Sequence, residues 1–352
     1  MSNSSPGEMI PLTVRAADEG TEIFLIDSQF NRLKSAVGRL RTEVKPGIYK
    51  IRFRAGEAQV DQIVEVTEAG QGGRNGVEVT GSPLSFTSAA PIPGTRTFLQ
   101  THEAAWRRAW QCPDKRCGQG GRLFLMVRDP RSPCHVGSPC RPRRPWKGVT
   151  LANAGGNVLC EMSKDGWRDP SDGVGTTHME LDPGVYVLRV DTSVSGVQKM
   201  AVAVCPGWQT QVMMAAVQYR RSEKGRIRTA LRATLADASV FMVKLDGNGI
   251  PRESMEKQLR LTELARQGLA QGRAPVRPGD LRDMLWAKYE NPMLGIIGTH
   301  LVLQGAEPDL EMLHSVVRNL EHLVADHPDV QALRLAVDAR RNVTAPVLAT
   351  SG

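Results

Sequence analysis

Two octapeptides decide how this chain is read: Pro46-Gly47-Ile48-Tyr49-Lys50-Ile51-Arg52-Phe53 and Pro183-Gly184-Val185-Tyr186-Val187-Leu188-Arg189-Val190. In each, Pro-Gly sets a turn, and the residues after it alternate with period two around a Tyr and an Arg. That is the pattern of a turn feeding an edge or half-buried β-strand. Two copies of one signature predict two small β-sandwich modules. Working outward from the first copy, short alternating runs occupy Leu12–Val14, Glu22–Ile26, Arg39–Val44 and Gln62–Val66. Around the second lie Val149–Leu151, Val158–Met162, His178–Leu181, Met200–Val204 and Gln211–Met214, with a last strand candidate at Val240–Leu245. Strands this short, punctuated by Gly and Pro, belong to antiparallel sheets.

After Pro251 the period changes. Leu261, Leu264 and Ala265 recur at helical spacing, as do Leu281, Leu285 and Tyr289. Asn291-Pro292 reads as a cap followed by Pro at the first helical position. Leu310, Leu313, Val317, Leu320 and Val324 form one apolar stripe, and His327-Pro328-Asp329 opens another helix. The expected fold is therefore multidomain α+β: two antiparallel β-sandwich modules followed by a C-terminal α-helical bundle. The expected spans are a disordered start over 1–9, the first module over 10–80, an irregular and basic Cys-containing insertion over 81–147 with a short helix at Thr101–Trp110 and one apolar strand at Leu123–Val127, the second module over 148–250, the helical domain over 251–341 and a flexible tail over 342–352.

The chain has 352 residues and a formal charge of +8, and the charge is unevenly placed. Between Ala104 and Lys147 eleven Lys/Arg stand against Asp114 and Asp129, a surplus of nine, so the remainder of the chain nets −1. An anionic partner should be met in that segment. The candidate contacts are Arg107, Arg108, Arg128, Arg131, Arg141, Arg143, Arg144 and Lys147, interleaved with Trp110 and Trp146. Arginine on phosphate with bases stacked on aromatic rings is how single strands are bound without sequence preference. Solvated loop charge and docking on an acidic protein use the same residues. A second basic stretch, Tyr219–Arg232, follows the second module.

Met1–Gly7 has no basic start and no apolar run after it, and Met293–Leu303 is too short to span a bilayer, so a cytoplasmic protein with no membrane partner is expected. Six cysteines in such a chain are thiols or metal ligands rather than a disulfide framework. Cys112, Cys117, Cys134 and Cys140 could hold a structural zinc ion, or they are unrelated thiols, since the spacing is not that of a two-residue knuckle. No other cofactor is indicated. Neither His-Glu-x-x-His nor Gly-x-Ser-x-Gly occurs, Gly70–Arg74 and Gly118–Arg122 lack the Lys-Ser/Thr of a phosphate loop, and the Asp165–Asp172 cluster lacks the calcium-loop spacing. The chain is not expected to be an enzyme.

The paired Pro-Gly-x-Tyr segments resemble the PEGA-type and carboxypeptidase-regulatory-like β-sandwich modules, in which such a turn precedes a closing strand. That resemblance implies non-catalytic spacers or docking units. Lys288-Tyr289-Glu290-Asn291-Pro292-Met293-Leu294-Gly295 resembles helical tails of bacterial proteins, some of them linked to caspase-like or other peptidase effectors. The expectation is a scaffold or adaptor subunit of a bacterial multiprotein assembly, binding other subunits (a peptidase effector among them) or copies of itself through the helical domain and the basic insertion. The alternative is a nucleic-acid or anion binder acting through residues 107–147.

Overall fold

The computed structural model describes residues 9–67, 76–131, 143–192, 196–223, 226–245, 253–274 and 276–344. Cys134, Cys140, Arg141 and the Gly70–Arg74 stretch lie outside the described residues. The fold is α+β, with strands in several sheets together with helices. It divides into two compact units, one of Met1–Thr87 with Arg260–Leu281 and one of Ser88–Leu259 with Arg282–Gly352.

Among its described residues the smaller unit holds seven strands: β1 (Ile10–Arg15), β2 (Glu22–Ile26), β3 (Arg32–Val37), β4 (Arg39–Val44), β5 (Gly47–Ala55), β6 (Ala58–Val66) and β7 (Val77–Thr80). They form two sheets, β3-β2-β5-β6 and β4-β1-β7, the β1–β7 pairing being parallel. Leu12, Val14, Leu40 and Val44 from one sheet share a core with Ile23, Leu25, Ile51 and Phe53 from the other. Alternation explains this: β5 buries every second residue from Tyr49 to Ala55. The first Pro-Gly-x-Tyr strand is thus half-buried, as its alternation predicts, but it is an inner strand of its sheet and not an edge. Leu264 joins that core from the helical residues, where Arg260 forks onto Asp18 at 3.1 and 2.8 Å and Gln267 donates to the Thr87 carbonyl at 2.7 Å. The helical period of Leu261, Leu264 and Ala265 matches helix, yet Leu264 completes the first core instead of standing with the other helices.

The larger unit repeats the plan. Its elements are α1 (Gln100–Trp106), β8 (Lys115–Arg116), β9 (Gly121–Arg128), β10 (Val149–Ala152), β11 (Val158–Glu161), β12 (Trp167–Asp169), β13 (Val174–Leu181), β14 (Gly184–Asp191), β15 (Val197–Val204), β16 (Trp208–Glu223), β17 (Arg226–Ala233) and β18 (Ser239–Lys244). The sheet β11-β10-β14-β15 matches β3-β2-β5-β6 strand for strand, and β13-β9-β16 matches β4-β1-β7, including the parallel β9–β16 pairing. Even the irregularities coincide. Counted from the Pro-Gly turns, the register shift at Leu25/Ile26 in β2 falls at the same position as that at Leu151/Ala152 in β10. In both copies the tyrosine closes on the carbonyl four residues upstream, Tyr49 on Lys45 and Tyr186 on Asp182, each at 2.7 Å. That bond is the reason for a Tyr two residues past Pro-Gly: it ties the strand to its own turn.

The copies differ in what covers them. Strand β9 is buried on both faces: Leu123, Leu125 and Val127 enter the core shared with β10 and β14, while Phe124 and Met126 enter a second core with Trp106, Phe241 and Ile92. A strand buried on both sides reads as a continuous apolar run rather than an alternating one. Within the span expected to be an irregular insertion, this run is the central strand of the larger sheet.

Helices α2 (Glu253–Ala270), α3 (Pro278–Trp286), α4 (Pro292–Leu303), α5 (Leu310–Leu323) and α6 (Pro328–Thr344) follow. The last three pack with Leu285 on Trp208 and Met242 of the larger unit. Asn291 begins α4 as its sequence predicts: its side-chain oxygen accepts from Met293 N at 3.2 Å and also from Met242 N of β18 at 3.2 Å. Gly295 is required by packing, because a Cβ there would lie 2.6 Å from Cβ of Lys288.

Candidate functional site

The larger unit contains a cavity of about 570 Å³ lined by Arg144, Trp146, Lys147, Arg168, Arg232, Glu161, Ser163 and Asp191. Its floor is built by the short chain from Arg143 to Val149. Successive turns (Lys147 N to Arg144 O at 3.3 Å, Val149 N to Trp146 O at 3.2 Å) turn Trp146 inward and leave Arg144 and Lys147 exposed. The Trp146 ring packs so closely on Gly175 that a Cβ there would lie 2.9 Å from it. At the exit of the turns, Gly148 has φ of 86°, and a Cβ on it would lie 2.7 Å from the Asp191 carbonyl. The floor is held at both ends, by Arg143 N on Pro170 O at 2.9 Å and by Ala233 N on Pro145 O at 3.1 Å.

Arg168 donates to the carbonyls of Met162 and Asp165, each at 3.0 Å, which shapes the wall carrying Glu161 and Ser163. Glu161 is already occupied. Lys164 at 2.7 Å and Ser163 both bond it, and their bonds hold its carboxyl below the usual carboxylate range. Among the described residues four cationic side chains thus border the cavity together with two acidic ones, Glu161 and Asp191. Such a pocket can receive an anion by charge and hydrogen bonding.

The structure sorts the arginines expected to meet a partner. Arg128 is 0% exposed and is spent on the backbone: it donates to the carbonyls of Ala89 (2.6 Å), Thr97 (2.6 Å), Ser88 (2.7 Å) and Ala90 (3.0 Å), fixing the coil 88–97. Arg131 forks onto the buried Asp129 at 2.8 and 2.7 Å, and Arg143 reaches the same carboxylate at 3.0 Å. Burial alone pushes the Asp129 carboxyl up; those hydrogen bonds bring it below the ordinary value. Arg107 pairs with Glu103 on the surface, Arg108 lies over the Trp167 ring at 5.1 Å, and Trp110 packs against Trp106 with centroids 6.0 Å apart. Arg144, Lys147 and Trp146 are the members of the predicted set that meet in the cavity. Arg168 and Arg232 join them from outside that segment; Arg232 belongs to the second basic stretch, whereas nothing in the sequence singled out Arg168. Cys112 and Cys117 are exposed free thiols, and among the described residues no three His, Cys, Asp or Glu side chains are grouped to hold a metal.

A second polar cluster is closed to solvent. Trp106 Nε1 donates to Gln211 Oε1 at 2.8 Å, Gln211 Nε2 to Gln209 Oε1 at 2.6 Å, and Gln209 Nε2 reaches both the Ala109 carbonyl (2.7 Å) and His178 Nε2 (3.0 Å). Burial, reinforced by the charge of Arg122, pushes the His178 imidazole down to about 4, so the ring is neutral at pH 7 and Nε2 accepts. This ladder fastens α1 to the larger sheet.

No family model and no curated protein matches the sequence. Among solved structures the Bacillus anthracis TIE protein is similar at 11% identity and a TM-score of 0.20, over 56% of this chain and 31% of that one. The chain therefore spans about a third of that protein's length, and an overlap so slight carries no argument about function. No helix among the described residues is long and apolar enough to cross a membrane.

Proposed function

We propose that this chain is a non-enzymatic scaffold or adaptor, in which tandem β-sandwich modules and a C-terminal helical bundle hold a pocket that takes up an anionic group of a partner. The observation that carries this reading is the convergence of Arg144, Lys147, Arg168 and Arg232 on one cavity whose floor is braced from both ends. The pocket's acids support binding over chemistry, because Glu161 is held ionised by Lys164 and Ser163 and is not poised to move a proton. The repeated sheet order and the shared tyrosine bond support a framework role for the modules.

The test is calorimetric titration of the full chain with sodium pyrophosphate at 25 mM salt, against Arg144→Ser/Lys147→Ser. Binding that weakens at least tenfold in the variant supports the pocket. Absence of binding, or equal binding by both proteins, defeats it. For the protein-binding role of the helical part, Trp286 and Tyr289 are the side chains to vary: they are 67% and 40% exposed and flank Lys288, whose Nζ lies 5.4 and 4.3 Å from their ring centroids. Trp286→Ser should weaken assembly without loss of folding. Truncation after Pro251 is less suitable, since it would bare Trp208 and Met242.

A further inference from the structure

Strand β6 is the last strand of the sheet β3-β2-β5-β6. On one side it pairs with β5 in unbroken register, from Gly47↔Val66 to Ala55↔Ala58. On the other it meets no strand among the described residues. It is nine residues long, and every residue from 59 to 63 is exposed, whichever face its position belongs to. Val60 and Ile63, at positions of opposite faces, are 45% and 66% exposed.

A bare edge invites another chain, and the ordinary blocks are a lysine, a proline, a bulge or a cover. Elsewhere in the molecule such blocks are in place. Lys34 Nζ donates to the Arg41 carbonyl of edge strand β4 at 2.9 Å, and Lys115 Nζ to the Leu159 carbonyl of edge strand β11 at 2.7 Å. Strand β15, which stands in the larger unit where β6 stands in the smaller, carries Lys199 and buries Val202, Ala203 and Val204. Strand β6 has no Lys, Arg, Pro or bulge. Of its two acids, Asp61 is spent inside its own sheet: Arg52 forks onto it at 2.7 and 2.9 Å, and Lys50 stands 3.5 Å away.

The occupant follows from the strand's own order, Ala58-Gln59-Val60-Asp61-Gln62-Ile63-Val64-Glu65-Val66, which reads nearly alike in chemical type from either end. When two copies lie antiparallel, side chains directly opposite share a face, so each residue faces one of its own parity. The two-fold axis then passes between the two copies of a single residue. An axis at Asp61 sets that acid against itself, and one at Ile63 sets Asp61 against Glu65; like charges directly opposite are destabilising. An axis at Gln62 opposes no like charges. It sets Val60 against Val64, Gln59 against Glu65 and Asp61 against Ile63, and it uses the strand from end to end. We infer that two copies of this chain pair through β6, antiparallel about Gln62, each sheet continuing into the other. Such a self-complementary contact consumes the edge on both copies and stops at two. The inference does not depend on the pocket, which belongs to the larger unit.

The experiment is sedimentation equilibrium of the full chain from about 1 to about 300 µM, a range that resolves micromolar association. The mass should rise from one chain toward two and no further. Gln62→Lys sets two ammonium groups face to face at the axis and should weaken dimerisation at least tenfold, and Gln62→Glu should do the same with two carboxylates. An equimolar mixture of these two variants should dimerise at least tenfold more tightly than either alone, a recovery that misfolded protein would not show. A chain that stays monomeric, a dimer that Gln62→Lys leaves untouched, a mixture no tighter than its components, or a dimer lost in Trp286→Ser would each overturn the inference.

Discussion

Strand β1 of the smaller unit carries Thr13 half-exposed between the buried Leu12 and Val14; its counterpart β9 carries Phe124 wholly buried between Leu123 and Leu125. The two strands occupy the same place in the same sheet order, and each pairs antiparallel to the strand before its Pro-Gly turn. Likewise Arg41 of β4 is exposed where His178 of β13 is 1% exposed. One plan has been used with a single face covered and again with both. The second covering, by α1 and the coil 88–97, is what demands aromatic and neutral polar side chains where the first copy can leave Thr and Arg in water.

Truncating the facing positions should separate the two copies most widely. Phe124→Ala should cost about 3–5 kcal/mol, and Thr13→Ala should stay within about 0.5 kcal/mol, in denaturant unfolding of the full chain. Equal losses would mean that the second covering contributes nothing. The next effect is a pH dependence confined to the larger unit. The His178 imidazole titrates near 4 when folded and near 6.5 when unfolded, so below pH 6.5 the unfolded chain binds the proton more readily. That contribution to stability is present in full above 6.5. It should be lost progressively down to pH 4, by roughly 3 kcal/mol. His178→Gln should make the profile shallower over that window, to which His102, His300 and His327, also lowered by burial, contribute as well. An unchanged profile would remove His178 as a cause. A smaller and symmetrical effect belongs to the tyrosines: Tyr49→Phe and Tyr186→Phe should each cost about 1 kcal/mol, since each removes the same bond to a carbonyl four residues back. A difference of more than about twofold between them would show that the two turns are not equivalent. Smallest of all, Arg144→Ser/Lys147→Ser should shift stability by no more than about 0.5 kcal/mol while weakening pyrophosphate binding at least tenfold, because both side chains are exposed.

The Pro-Gly-x-Tyr repeat carried a large part of the fold into the sequence because a turn, an alternating strand and a closing phenol all act within ten residues. What escaped was set by contacts distant in the chain. Leu123–Val127 reads as an apolar strand, but it lacks alternation because it is buried twice over, and its Pro- and Cys-rich flanks hide that it belongs to the sheet of the second module. The stripe at Leu261, Leu264 and Ala265 announces an apolar face but not the core it will meet. In the candidate site, charge density pointed to Arg144 and Lys147 and equally to Arg128, Arg131 and Arg143. Only folding reveals that the last three are consumed by four carbonyls and one buried carboxylate. Arg168 had no such density around it; it reaches the cavity because β12 pairs with β13.

Strand β18 is the outermost member on its side of the larger sheet, bonded to β16 and to no second strand among the described residues. Its Met242 amide points off the ladder and is met by Asn291, the same side chain that starts α4. One carboxamide therefore also stands guard over an open border where a neighbouring molecule could otherwise add its own backbone. Exchanging it for alanine would take away the cap of α4 and, in the same stroke, leave that border amide without the oxygen that meets it.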